Sequence, residues 1–178
     1  SSTKARIASA FDSLPANVQA IGGHPICGKE TAGFAHADAA LFRDAPFVLT
    51  PLARTTPETI ALARALVHAI GAKPILLDPD THDRLLAAVS HLPHLTAVAL
   101  LLAAESEPDP TLWQLVGPGF RDSTRLAASS LDLLTDILLT NRLPILESIS
   151  RFRLALDSLS DCLAREDERG LRAHLQRA

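Results

Sequence analysis

At 178 residues, 47% hydrophobic and 21% charged, the chain has the composition of a folded protein long enough to bury a core, which argues against intrinsic disorder. A net charge of −3 and a pI near 6.1, with no run of Lys or Arg, offer nothing that would neutralise a row of phosphates, so nucleic acid is not an expected partner. Cys27 and Cys162 stand far apart and form neither a disulfide framework nor a zinc-type cluster, which fits a reducing, cytoplasmic compartment.

Residues 3–13 predict a short helix ended by Pro15, and the apolar run 18–21 predicts a short strand that gives way to a loop at Gly22-Gly23. Phe47-Val48-Leu49-Thr50 predicts a second strand. Thr56, Pro57 and Glu58 are an N-cap, a first-turn proline and an acid at the positive end of a helix whose apolar residues run from 60 to 67. Gly71 stops that helix, and residues 74–77 predict a third strand. Residues 1–79 therefore read as the trailing strands and helices of a Rossmann-like α/β domain.

From Asp80 onward apolar residues recur at helical spacing, through Leu85, Leu86, Val89 and Leu92 and then through residues 95–102, and no strand pattern survives. Loops are expected at residues 105–110 and at Gly117-Pro118-Gly119, one or two long helices over 131–164 around Pro144, and a charged terminal helix over 167–177. Residues 80–178 are thus expected to be all-helical, making the fold class α+β. The apolar run 95–104 is about half of the roughly 20 residues needed to span a bilayer, so no membrane is expected. The amino terminus has no apolar signal segment and the chain has no methionine, so it is expected to be part of something longer.

Three segments concentrate polar residues where a plain core would not: 22–33, 90–94 and 117–125. Taken alone, His24 reads as an ordinary loop histidine, and Ser90, His91 and His94 as polar groups of a helix in which 91 and 94 share a face. Pro93 is harder to pass over, because a proline inside a helix leaves a carbonyl without its donor at a cost of about 3 kcal/mol, and such bends are common beside pockets. Arg125 reads first as a surface ion pair with Asp122, and second as a planar guanidinium aimed at a carboxylate. Cys27 reads as inert.

Together these segments carry a resemblance. Gly22-Gly23-His24-Pro25-Ile26-Cys27-Gly28-Lys29-Glu30-Thr31-Ala32-Gly33 resembles the G-G-H-P-[MI]-x-G-x-E-x-x-G signature of the prephenate (or arogenate) dehydrogenases of tyrosine biosynthesis. Ser90-His91-Leu92-Pro93-His94 matches their S-H-L-P-H helix, residues 119–127 match G-F-x-D-x-T-R-[IL]-A, and Asp136-Ile137 with Asn141-Arg142 match D-I-x-x-x-N-R. Ser1-Ser2-Thr3-Lys4 resembles the end of their D-x-x-S-x-K motif, and the G-x-G-x-x-G turn that binds pyrophosphate is not in the sequence. Leu134 stands where the family often has an aromatic pocket wall.

The resemblance implies a carboxyl-terminal fragment with a helical dimerisation domain, forming a homodimer and acting on a small molecule with NAD or NADP. The implied reaction is oxidative decarboxylation of prephenate, or of arogenate, in which hydride leaves the hydroxyl-bearing ring carbon and carbon dioxide departs as the ring becomes aromatic. It further implies His24 as the base, Ser2 as a hydrogen-bond partner of the same hydroxyl, Arg125 with His94 and Ser90 at the substrate's side chain, and Glu30 and Asp122 in a gating ion network. No metal is implied. Two other readings remain open: a helical dimerisation module without catalysis, and a hydrolase with zinc on His24, His91 and His94, for which no H-E-x-x-H spacing is present.

Overall fold

The computed structural model describes residues 2–11, 13–29 and 33–177. Helix α1 (Ala5–Phe11) leads into strand β1 (Ile21–Pro25), which pairs antiparallel with β2 (Pro46–Pro51); β2 then pairs parallel with β3 (Lys73–Leu76) across helix α2 (Pro57–Ala69). The strand order is β1-β2-β3. Helix α2 begins as its sequence dictates: Thr56 accepts a hydrogen bond from the Thr59 amide and Pro57 occupies the first turn. Its inner face, Ala63 and Val67, packs with Leu49 and Ala72 as the core of this half, and Ile21, Phe42 and Phe47 close over it.

The strand expected over 18–21 lies instead at Ile21–Pro25, so Gly22-Gly23-His24 are strand residues and not a loop. The glycines serve close approach, not turning. A Cβ on Gly22 would collide with Thr50 Oγ1 and crowd the Lys4 side chain, and one on Gly23 would press within 3.1 Å of the Phe47 ring. Val18 to Ala20 are left outside the sheet because the pairing partner of Ile21 is Pro51, the last residue of β2.

The second half is helical, as expected. Helix α3 (Pro79–Leu86) passes through a π-helical turn at Ala87–His91 into α4 (Leu92–Glu105). The turn closes on a hydrogen bond from the Leu92 amide to the Ala87 carbonyl, five residues back, immediately before Pro93, which has no N–H to give. The segment expected as a Gly117-Pro118-Gly119 loop is partly helix: Pro118 is the first residue of α5 (Pro118–Thr124), where its missing N–H costs nothing. Two helices occupy 131–164, α6 (Leu131–Thr140) and α7 (Arg142–Ala164); they part at Asn141, not at Pro144, which sits within the first turn of α7. Helix α8 (Glu168–Arg177) folds back on α7, with His174 Nε2 3.1 Å from Ser158 Oγ.

The continuous helix Pro79–Glu105 is, by length and composition alone, apolar enough to cross a membrane. Its buried residues include His82, Asp83 and His91, which bond to residues of other elements, so its polar side belongs to this fold's interior. Gly22→Ala is expected to lower unfolding free energy by about 1–3 kcal/mol in urea denaturation, the usual cost of overpacking. Gly28→Ala, where a Cβ meets open space, is expected to be near neutral.

Candidate active site

The junction between the two halves is built around one buried carboxylate. Asp83, in the second turn of α3, accepts from the Lys4 amide at 2.7 Å and the Ala5 amide at 2.9 Å, and its Oδ1 lies 2.7 Å from His82 Nδ1. These two amides begin α1, so the carboxylate caps that helix from a distance in sequence. Burial pushes the Asp83 pKa up, but the hydrogen bonds from His82 and from the Ala5 and Lys4 amides hold it below the ordinary carboxylate value. Lys4 is itself buried, which lowers its pKa against the attraction of Asp83.

His24 projects from β1 toward this group, its Nδ1 2.8 Å from His82 Nε2, with the two rings tilted by 55°. Desolvation, with Lys4, His82 and His91 nearby, pushes the His24 pKa down to about 4. At neutral pH its ring is therefore uncharged and able to accept a proton. On the other side, Asn141 donates through Nδ2 to the Asp83 carbonyl at 2.7 Å, and the same Nδ2 is 3.0 Å from His91 Nδ1. Because Nδ2 is a donor, His91 Nδ1 accepts and the His91 proton sits on Nε2, a buried atom with no partner among the described residues. Burial likewise brings His91 down to about 4.

Beside this junction lies a cleft of about 540 Å³ whose lining includes Lys29, Ser90, His91, His94, Arg125 and Leu134. His94 donates from Nδ1 to the Ser90 carbonyl at 2.9 Å, which fixes its ring across the π-turn. The structure thus brings Ser90, His94 and Arg125 to one cleft, with Leu134 in its wall. Ser2 lies in a neighbouring depression with Arg6 and Asp136, separated from the cleft by Leu133 and Ile137, which line both. His24 is not in the cleft lining, and Asp122 is exposed on α5 outside it. Glu30 lies outside the described residues. Sequence reasoning missed His82, Asp83, Asn141 and Lys29; only the Asn141-Arg142 motif carried a signal for one of them.

The three histidines of the zinc reading point into different bonds, His24 to His82, His91 to Asn141 and His94 to Ser90. Among the described residues no group of three or more His, Cys, Asp or Glu is placed to hold a metal. Nor do the helices that follow strands suit a dinucleotide's phosphates. The amino termini of α2 and α3 are closed by their own Thr56 and Asp78 side chains and carry Glu58 and Asp80 in the first turn, where a phosphate would be repelled.

The fold and the site define a small mixed sheet that leads into a helical half, with a buried carboxylate–histidine cluster at their junction. Residues 1–76 match the family model described as "Prephenate dehydrogenase, nucleotide-binding domain", and residues 78–177 match "Prephenate dehydrogenase, dimerization domain". The chain belongs to the prephenate dehydrogenase family. It is 31% identical over 173 residues to a prephenate dehydrogenase of Bacillus subtilis, covering 96% of this chain and 47% of that protein. A cyclohexadienyl dehydrogenase of Zymomonas mobilis is 33% identical over 168 residues, covering 93% and 57%.

Among solved structures, a Synechocystis arogenate dehydrogenase superposes with a TM-score of 0.89 at 33% identity, covering 99% of this chain and 64% of that one. The prephenate dehydrogenase of Aquifex aeolicus in complex with hydroxyphenyl propionate and NAD+ gives 0.91 at 30% identity, covering 99% and 62%. The chain spans about half the length of the curated prephenate dehydrogenases it matches.

The lowered histidines make stability pH-dependent in a defined direction. Folded His24 and His91 titrate near 4 and unfolded ones near the ordinary 6.5, so between these values the unfolded chain binds more protons. Their contribution is complete above about pH 6.5 and is lost as the pH falls to about 4. Melting temperature should therefore fall steadily across that window, and His24 and His91 ring signals should titrate well below the ordinary imidazole value in NMR.

Proposed function

We propose that this chain, completed by a dinucleotide-phosphate site that its described residues do not form, carries out oxidative decarboxylation of prephenate to 4-hydroxyphenylpyruvate in the cytoplasm, with NAD(P) as hydride acceptor. The observation that carries the reading is the pairing of an uncharged, half-buried His24 with an adjacent cleft that holds Arg125, His94 and Ser90. The dinucleotide, when bound, supplies the hydride acceptor. The chain's residues supply the rest. His24 takes the proton of the ring hydroxyl as its carbon is oxidised, and Ser2 hydrogen-bonds to the same oxygen. Arg125 binds a substrate carboxylate through its guanidinium fork, with Lys29 as a second cation in the same cleft wall and His94 and Ser90 at the side-chain end. Glu30 and Asp122 are assigned to a gating ion network.

Arogenate differs from prephenate by an amino group in place of the keto group. The Synechocystis structure keeps that substrate as the second reading. Measuring turnover of both substrates side by side discriminates them. His24→Asn is expected to lower kcat by about 10²-fold or more with little change in KM, whereas Arg125→Ala is expected to raise KM by about 10- to 100-fold with a smaller change in kcat. Near-normal turnover of the His24 variant at pH 7 would remove the base from the mechanism.

The same reading makes the protein a homodimer through its helices. Leu100, Leu102, Leu133, Leu139, Leu143 and Leu154 are exposed on α4, α6 and α7. Ile145 on α7 is buried within the chain and is not available to such an interface. A two-fold interface through these helices should bury more than about 2,000 Å² in total, as obligate dimers do. Sedimentation at micromolar concentration should show a dimer, and a monomer would overturn the interface.

A further inference from the structure

Each ring in the row His24, His82, Asp83 has one free choice, which nitrogen carries its proton, and the carboxylate at the end makes that choice for both. Asp83 can only accept, and it lies 2.7 Å from His82 Nδ1, so that nitrogen carries a hydrogen. With one proton on each ring, His82 Nε2 is then a lone pair. It lies 2.8 Å from His24 Nδ1, which must donate to it. The remaining His24 nitrogen, Nε2, is left as the ring's lone pair.

We propose that His82 and Asp83 are positioning residues that hold the His24 imidazole in the Nδ1–H tautomer and so present Nε2 as the atom that accepts a proton. This rests on reading His24 as the base. The arrangement has the logic of a base whose orienting hydrogen bond ends on a carboxylate, with a second imidazole inserted between the two. The site is built to be rigid: His82 is fully buried, Asp83 is 3% exposed, and the carboxylate is pinned by two amides that start α1. The pairing is edge to edge and not stacked, since the ring planes are inclined by 55° with centroids 5.0 Å apart. In water the Nε2–H form of a neutral imidazole is the preferred one, so the proposed form is one the protein imposes.

Long-range 1H–15N correlation spectra of the 15N-histidine-labelled protein at pH 7 read the tautomer directly. The expected result is Nδ1–H on His24 and on His82. An Nε2–H on His24 would show that His82 donates to it as an imidazolium and would overturn the proposal, whatever the activity. In the chain completed by its dinucleotide-phosphate site, His82→Leu should release His24 to the Nε2–H form and lower kcat about tenfold or more with substrate KM little changed. His82→Gln, whose carbonyl oxygen can accept from Nδ1–H, should recover part of that loss. An unchanged tautomer in the Leu variant, or equal kcat loss in the Leu and Gln variants with the tautomer retained, overturns the positioning role. Should neither variant fold, the wild-type spectrum decides alone. If the tautomer is as expected but His24→Asn keeps full turnover, the pairing stands and the assignment of the base falls.

Discussion

A carboxylate with almost no exposure to solvent has to be answered by donors, because an unpaired buried charge costs several kcal/mol. Asp83 is answered by the Lys4 and Ala5 amides and the His82 ring, while its own carbonyl takes the Asn141 amide. These partners come from α1, α3 and the α6–α7 junction. The position of α3 is therefore set by where those groups are, and His24 follows, because its ring nitrogen bonds to His82. The sheet half and the helical half are joined at this cluster by the His24–His82 pair and by the bonds of Asp83 to the Lys4 and Ala5 amides. The apolar cluster of the sheet half is small, four buried side chains with three partly buried neighbours among the described residues.

The π-turn is what lets one helix serve both sides of the cluster. In an unbroken α-helix the nine residues from His82 to His91 advance the face by about 900°, leaving the two side chains half a turn apart. A π-turn takes up one extra residue, which brings them to within about 80° of each other. Both are then buried, His82 against His24 and His91 against Asn141. Pro93 fits this account: a residue without an N–H immediately follows the last five-residue hydrogen bond, so the irregular turn and the proline accommodate each other. The cost of the irregularity is borne beside the cleft, where local rules are most often broken for function.

What the sequence made legible follows the reach of each physical signal. The Thr56-Pro57-Glu58 start of α2, the stop at Gly71 and the helical period beyond Asp80 are local, and all appear in the structure. The strand β1 was misplaced because Gly22-Gly23 is locally a turn signal, and the reason for two glycines in a strand is Thr50 and Phe47, more than twenty residues away. The Asn141 break between α6 and α7 has the same origin: its side chain is spent on Asp83 and His91, partners 58 and 50 residues distant. Ser90, His94 and Arg125 were findable because motifs named them. His82 and Asp83 were not, since a His-Asp pair in the first turns of a helix reads as ordinary solvated polarity until the fold buries it.

The exposed apolar surface divides the molecule along the same line as the carboxylate cluster. On the sheet side, α2 turns Leu62 and Leu66 outward, Ile70 just past its end is exposed, and Ile75 and Leu76 on β3 are more than 40% exposed. β3 is also an edge strand, so apolar side chains and unpaired backbone groups coincide there, the combination that folded sheets ordinarily cover or pair. On the helical side, the exposed leucines of α6 and α7 alternate with charged residues such as Asp132, Glu147, Arg151 and Arg153, the mixture that suits association between helices. Two surfaces of different chemistry thus flank one rigid junction. His24 sits on the junction itself, tied through His82 to the elements that Asp83 joins.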